Sequence, residues 1–217
     1  MTDADLFVQP ASQAEVELRE RRSRFVARLS VAGDEESARE FVREMSQTYS
    51  DATHNCWAYR VGHPDIREYW SDAGEPSGTA GKPIEGAIQR VGITNTVIVV
   101  TRYFGGIKLG VRGLIDAYGG AASMAIEKAG RATKRLCRMA LVETPYEHAS
   151  GLMRKLKEMD VPGEDIVTAY GAHVDLSVPV PASQESQALA LFDGYMQRGM
   201  VLKWKWEDDN ESVKRES

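Results

Sequence analysis

The sequence predicts an α/β (α+β) protein in two parts, on three observations. Apolar residues recur at every second position in some stretches and at helical spacing in others, so strands and helices alternate. TVIVVTRYF (Thr96–Phe104) is apolar almost throughout, as expected for a strand buried on both faces of a sheet. From Leu136 onward the pattern runs strand, helix, strand, strand, helix, strand, which is the β-α-β-β-α-β order of a ferredoxin-like domain.

EVELRERRSRFVARLSV reads as two extended segments broken at Arg21-Arg22. Val16 and Leu18 share a face before the break, and Phe25, Ala27 and Leu29 share one after it. DEESAREFVREMSQTY is a helix with Asp34 as N-cap, acids in its first turn, and Ala38, Phe41, Val42 and Met45 at helical spacing. NCWAYRV is a strand and REYWSD its hairpin partner, turned by Gly62-His63-Pro64-Asp65. SDAGEPSGTAGKP is a long polar connection into a short helix, Pro83 to Val91, because proline is tolerated only in a first turn. After the buried strand, TRYFGGIKLGVRG (Thr101–Gly113) turns into a helix over Val111 to Ala129 whose alanines and glycines call for close packing. Strands follow at Leu136–Thr144, Asp165–Tyr170, His173–Val180 and Met200–Glu207, with helices at Glu147–Met159 and Ala182–Arg198. Composition shifts at GRATKRLCR (Gly130–Arg138). This places a first domain over 1–132, a ferredoxin-like domain over 133–208, and a disordered acidic tail over 209–217.

The bulk composition excludes several classes. No run approaches the ~20 apolar residues of a membrane span, and MTDADLFVQP is not a secretory signal. Cys56 and Cys137, without C-x-x-C spacing, read as free thiols in a reducing cytosol. Net charge is −5; residues 1–137 hold 18 basic and 18 acidic residues, so the second part carries the whole deficit. A basic patch is therefore confined to the first part.

Thr101–Gly113 lacks the Lys-Ser/Thr of a P-loop and is not G-x-G-x-x-G. Its glycines surround Arg102, Lys108 and Arg112, and a helix starting near Gly110 offers free N–H groups. The stretch reads either as an anion site or as a tight turn with Tyr103 and Phe104 in the core. In SDAGEPSGTAGKP, Asp72 and Glu75 suit acid/base work or a divalent ion, or serve as turn and cap acceptors; Ser77, Thr79 and Lys82 precede a helix and can meet an anion. His54 and Cys56 share a strand face, which admits a Cys–His pair or a buried thiol. Four histidines show no zinc spacing. Arg22, Arg24 and Arg28 form a stripe suited to phosphates, or to the nearby Glu15, Glu17 and Glu20. In the second domain, Val174, Leu176 and Val178 share one sheet face, and Tyr170, Trp204 and Trp206 are the aromatics near strands.

RSRFVARLS, DATHNCWAYRVG, SDAGEPSGTAGKPI and TRYFGGIKLGVRGLIDAYGGAA, in this order, resemble the IMPACT family, over about residues 14–130. The resemblance implies a first domain similar to a ribosomal small-subunit protein domain and to domain IV of elongation factor G. It implies a second domain similar to domain V of that factor. Eukaryotic relatives regulate translation under amino-acid starvation by competing for the activator of a stress kinase, and nucleic-acid or ribosome binding is the usual suggestion for bacterial members. The family supplies no catalytic residues to carry over. Two positions depart from the family pattern: Arg112 stands where a small residue is expected, and Asp116 where a basic one is common.

The expectation is a cytoplasmic, non-catalytic binding protein, without metal or cofactor, that acts in translation regulation through RNA, the ribosome or a ribosome-associated protein. Lys82, Arg102, Lys108, Arg112, His54 and Arg24 are its candidate anion or nucleic-acid contacts, with Asp72 and Glu75 as loop acids of open role. The alternatives are an enzyme or sensor holding a small phosphorylated ligand between the two loops, and a protein-interaction module.

Overall fold

The computed structural model describes residues 3–161 and 163–215, with residues 3 and 208–215 described by their backbone alone. The chain divides into two compact units, residues 7–133 and residues 3–6 with 134–215.

The first unit is built on an antiparallel sheet of order β2-β3-β6-β4-β5, from β2 (Ala14–Glu20), β3 (Ser23–Val31), β4 (His54–Val61), β5 (Arg67–Ser71) and β6 (Thr96–Tyr103). The central β6 is buried along seven of its eight residues, as its unbroken apolar run requires. Successive residues point to opposite faces, so one strand serves two cores. Ile98 and Val100 pack with Phe25, Ala27, Leu29, Cys56 and Ala58 beneath α2 (Gly81–Val91) and α3 (Gly110–Ala129). Val97 packs with Tyr59 and Val61 against α1 (Glu35–Thr48) on the other face. The Arg21-Arg22 break is a two-residue hairpin turn with φ of 44° and 66° at the two arginines, the left-handed geometry that matches strand twist. Asp34 caps α1, accepting from the Ser37 amide at 2.8 Å. The alanines of α3 let it lie close to α2 and the sheet: Ala117, Ala121, Ala122 and Ala125 are all buried.

The second unit's sheet has β10 (Lys203–Arg215) beside β7 (Arg131–Thr144), then β9 (Val174–Pro181), then β8 (Val167–Tyr170), all antiparallel. This is the strand order of a ferredoxin-like domain, with α4 (Tyr146–Glu158) and α5 (Glu185–Gln197) covering one face. Val174, Leu176 and Val178 are buried beneath those helices, and Trp204 and Trp206 pack partly buried against the same core. Tyr170 is exposed and stacks on Tyr146 at 6.2 Å.

Several features differ from the sequence expectation. LFVQP is a strand, β1 (Leu6–Pro10), which joins the second sheet beside β7. Residues 3–6 group with the second unit rather than the first. The cause is local: the Asp5 carboxylate accepts the Ser183 amide at 3.0 Å and its hydroxyl, partners nearly the whole chain length away. The division at Thr133/Lys134 falls inside the continuous β7. The segment from 209, read from composition as a disordered tail, is strand as far as Arg215, which pairs with Lys134; residues 216 and 217 lie outside the described residues. The register slips between Trp206 and Glu211, beyond which Glu211 lies opposite Arg138 and Lys214 opposite Arg135 on β7. Among the described residues no helix is long and apolar enough to cross a membrane.

Candidate functional site

Two loops of the first unit build one cleft. The first, 72–80, is held by Asp72. Its carboxylate accepts the amides of Gly78 at 2.8 Å, Ala80 at 2.9 Å and Gly81 at 2.9 Å. Ala80, the residue that precedes α2, has no side-chain acceptor of its own, so Asp72 caps that helix from eight residues upstream. This starts α2 at Gly81, two residues earlier than proline placement alone suggests. It also occupies the Gly78, Ala80 and Gly81 amides in the stretch where Ser77, Thr79 and Lys82 are expected to meet an anion.

The second loop, 104–109, joins β6 to α3. The Phe104 amide donates to the Thr53 hydroxyl at 3.0 Å and the Gly105 amide to the Ser23 hydroxyl at 3.4 Å. Phe104 is 45% exposed, so the aromatic expected in the core stands on the surface; Tyr103 is half-buried.

Between the loops lies a cleft of about 460 Å³ whose lining includes His54, Glu75, Arg102, Phe104, Lys108 and Val111. Its floor is an ion pair. Glu75 and Arg102 are 9% and 5% exposed, and Arg102 Nη1 donates to Glu75 Oε1 at 2.6 Å. The same oxygen accepts the Tyr118 hydroxyl at 2.8 Å. Burial, reinforced by the neighbouring Cys56 and Glu75, pushes the Tyr118 hydroxyl pKa upward, which keeps it a donor. Arg102 sits between the rings of Phe25 and Phe104, 5.4 and 5.3 Å from their centroids. His54 lies directly opposite Arg102 in the β4–β6 register, and its Nε2 is 4.0 Å from Glu75 Oε1. His54 Nδ1 is 2.9 Å from the Ala73 carbonyl, which can only accept. The hydrogen therefore sits on Nδ1, and in the neutral ring Nε2 presents its lone pair toward the cleft.

The sequence candidates separate accordingly. His54, Glu75, Arg102 and Lys108 come together in the cleft. Lys82 is exposed on the first turn of α2 and is not part of its lining. Arg112 points to a different groove and pairs with Asp116 at 3.2 Å, both side chains well exposed. Arg24 lies over the Tyr103 ring at 4.4 Å, with Glu17 3.7 Å away. Arg28 pairs with Glu15 at 2.7 Å. Asp72 is a cap and Glu75 a buried ion-pair partner. Tyr118 was not singled out from the sequence. The available signal was a tyrosine on the buried face of an alanine-rich helix, since a buried hydroxyl needs a partner.

Cys56 and His54 share a face without pairing. The Cys56 thiol donates to the Asp72 carbonyl at 2.9 Å, and burial pushes its pKa up to about 12. Full burial and the hydrogen bond to Asp72 argue against a thiolate nucleophile at Cys56. Cys56 is expected to resist Ellman's reagent at pH 8 in the folded protein and to react promptly in denaturant; immediate reaction of the native protein at this thiol would contradict its burial.

The Impact N-terminal domain family model matches residues 21–126, a span that contains every residue of the cleft named above. The Escherichia coli IMPACT family member YigZ is 34% identical over 195 residues, covering 89% of this chain and 95% of that protein. The Bacillus subtilis IMPACT family member YvyE is 39% identical over 137 residues, covering 63% of this chain and 63% of its own length. A crystal structure described as a hypothetical protein superposes with a TM-score of 0.64 at 30% identity, covering 95% of this chain and 99% of its own.

Proposed function

Because the chain belongs to the IMPACT family, we propose that it is a non-catalytic binding protein of translation regulation that engages a ribosome-associated protein partner through the cleft of its first unit. One observation carries the non-catalytic part. Each acid or nucleophile considered in and around the two loops is already engaged: Asp72 by three amides, Glu75 by Arg102 and Tyr118, Cys56 by a carbonyl at a raised pKa. The translation role follows from what the family resemblance implies. A protein partner is favoured over RNA because Arg24 and Arg28 of the hairpin stripe, with Arg19 beside them and Arg112, face carboxylates instead of standing free for phosphates. Arg19 and Arg24 share Glu17, Arg28 has Glu15, and Arg112 has Asp116. The cleft instead offers exposed apolar rims at Phe104 and Val111, the composition of a protein contact.

Ribosome pelleting tests this at two ionic strengths, with purified ribosomal RNA as competitor. The protein is expected to pellet with ribosomes, to resist competition by free RNA, and to be released by the surface pair Phe104→Ala with Val111→Ala. Release by free RNA together with a steep salt dependence would replace the protein partner by RNA. Failure to pellet at either ionic strength would remove the ribosomal reading.

A further inference from the structure

We infer that the cleft receives a single carboxylate attached to an apolar body. The inference rests on the reading of this cleft as the binding site and adds the chemistry of what enters it.

Three independent features point to an anion. α3 is 20 residues long and opens on the cleft, yet Leu109, which precedes it, makes no side-chain cap. Its first-turn amides are left without a side-chain acceptor at the positive end of the helix dipole. Nothing lies within 4 Å of where a Cβ would stand on Gly110, so the helix start faces open space. The second feature is in the floor. Arg102, 5% exposed, has a buried Nε–H that meets no acceptor among the described residues, while its Nη2 reaches Ser23 only at 3.4 Å. A guanidinium has five donors, and here one carboxylate oxygen takes the only short bond. The third feature is Lys108, exposed on the lining with no ion pair among the described residues.

The charge balance selects a monoanion. Glu75 stands against Arg102, so the floor is close to neutral, and the remaining attraction comes from one lysine and one helix end. A phosphate dianion would face Glu75 without the further cations, Lys82 and Arg112, that the structure places elsewhere. The walls select the rest of the ligand. Phe104, Leu109, Val111 and Leu114 surround the anion position with apolar surface that a bare ion leaves unused. A carboxylate next to a branched aliphatic group satisfies both requirements. Such a group belongs to a free aliphatic acid or to the C-terminal residue of a protein.

Calorimetric titration of the full chain separates the possibilities, using 4-methylpentanoate, N-acetyl-leucine, N-acetyl-leucinamide and inorganic phosphate as probes. Both carboxylates are expected to bind. The amide, which lacks only the charge, is expected to bind about tenfold more weakly, as is phosphate, and Lys108→Ala should weaken the carboxylates several-fold. Tighter binding of N-acetyl-leucine than of 4-methylpentanoate identifies a protein C-terminus as the source; the reverse order identifies a free acid. Equal binding of amide and acid, phosphate binding as tightly as the acids, or no heat from either acid at millimolar concentration would overturn the inference. These probes are read without ribosomes. Probe failure with intact pelleting removes only the ligand class, and probe binding without pelleting leaves the site and removes the ribosomal role.

Discussion

Gly105→Ala is expected to destabilise the first unit by about 3 kcal/mol or more, at the upper end of what overpacking costs, because the obstacle is backbone. A Cβ at Gly105 would lie 2.0 Å from the Arg22 carbonyl oxygen and 2.1 Å from its carbon. Neither side can retreat. Arg22 is held in the hairpin turn at φ 66°, next to the Glu20–Ser23 pair that closes β2 and β3, and the Gly105 amide is tied to the Ser23 hydroxyl. Gly106 supplies the contrast. It has φ +84°, but nothing lies within 4 Å of a Cβ there. Gly106→Ala therefore meets only the left-handed backbone cost of about 1 kcal/mol. Denaturant midpoints at unchanged m-value measure both. Equal losses at the two positions would mean that the turn and the loop are not packed as described, and the rim that Phe104 and Val111 form would lose its anchor.

The glycines show where the sequence was readable and where it was not. Gly105 and Gly106 are adjacent and chemically identical, so nothing local distinguishes a steric glycine from a conformational one. The difference is made by Arg22, more than eighty residues away in sequence. The same limit governs the site. The apolar run of β6, the Asp34 cap and the β-α-β-β-α-β order are short-range patterns, and the residues that produce them lie within one element. β1 is not legible in the sequence because LFVQP is too short to show a period and gains its strand partner from β7. The start of β7, Arg131–Arg135, is not legible because it carries no apolar alternation. Glu75 and Arg102 looked like a loop acid and a loop cation, with nothing in either stretch to join them. Their pairing depends on the β4–β6 register and on Asp72 folding its loop back toward β4, both set by contacts long in sequence. Asp72 and Glu75, three residues apart, looked equivalent; one is spent on amides and the other on a cation.

Arg102→Met is expected to cost about 3–5 kcal/mol, the usual penalty for leaving one member of a buried ion pair without its partner. The methionine fills much of the same space between Phe25 and Phe104, so the loss reports on Glu75 left nearly enclosed with only the Tyr118 hydroxyl as a direct donor. Glu75→Leu in the wild-type background should be similarly harmful, since it strands the Arg102 guanidinium, which is already short of acceptors. Combining the two should restore part of the loss, because an apolar pair has no unsatisfied charge to bury. A double-mutant cycle reads this as a coupling energy of about 2 kcal/mol or more between residues 75 and 102. Additive losses would show that the two groups are solvated independently and that the floor of the cleft is not an ion pair. The cycle also bears on function. If the apolar double variant folds but no longer binds 4-methylpentanoate, the pair is retained for its chemistry and not for its stability. A pair kept for stability alone would leave carboxylate binding unchanged, with the open end of α3 and Lys108 holding the anion between them.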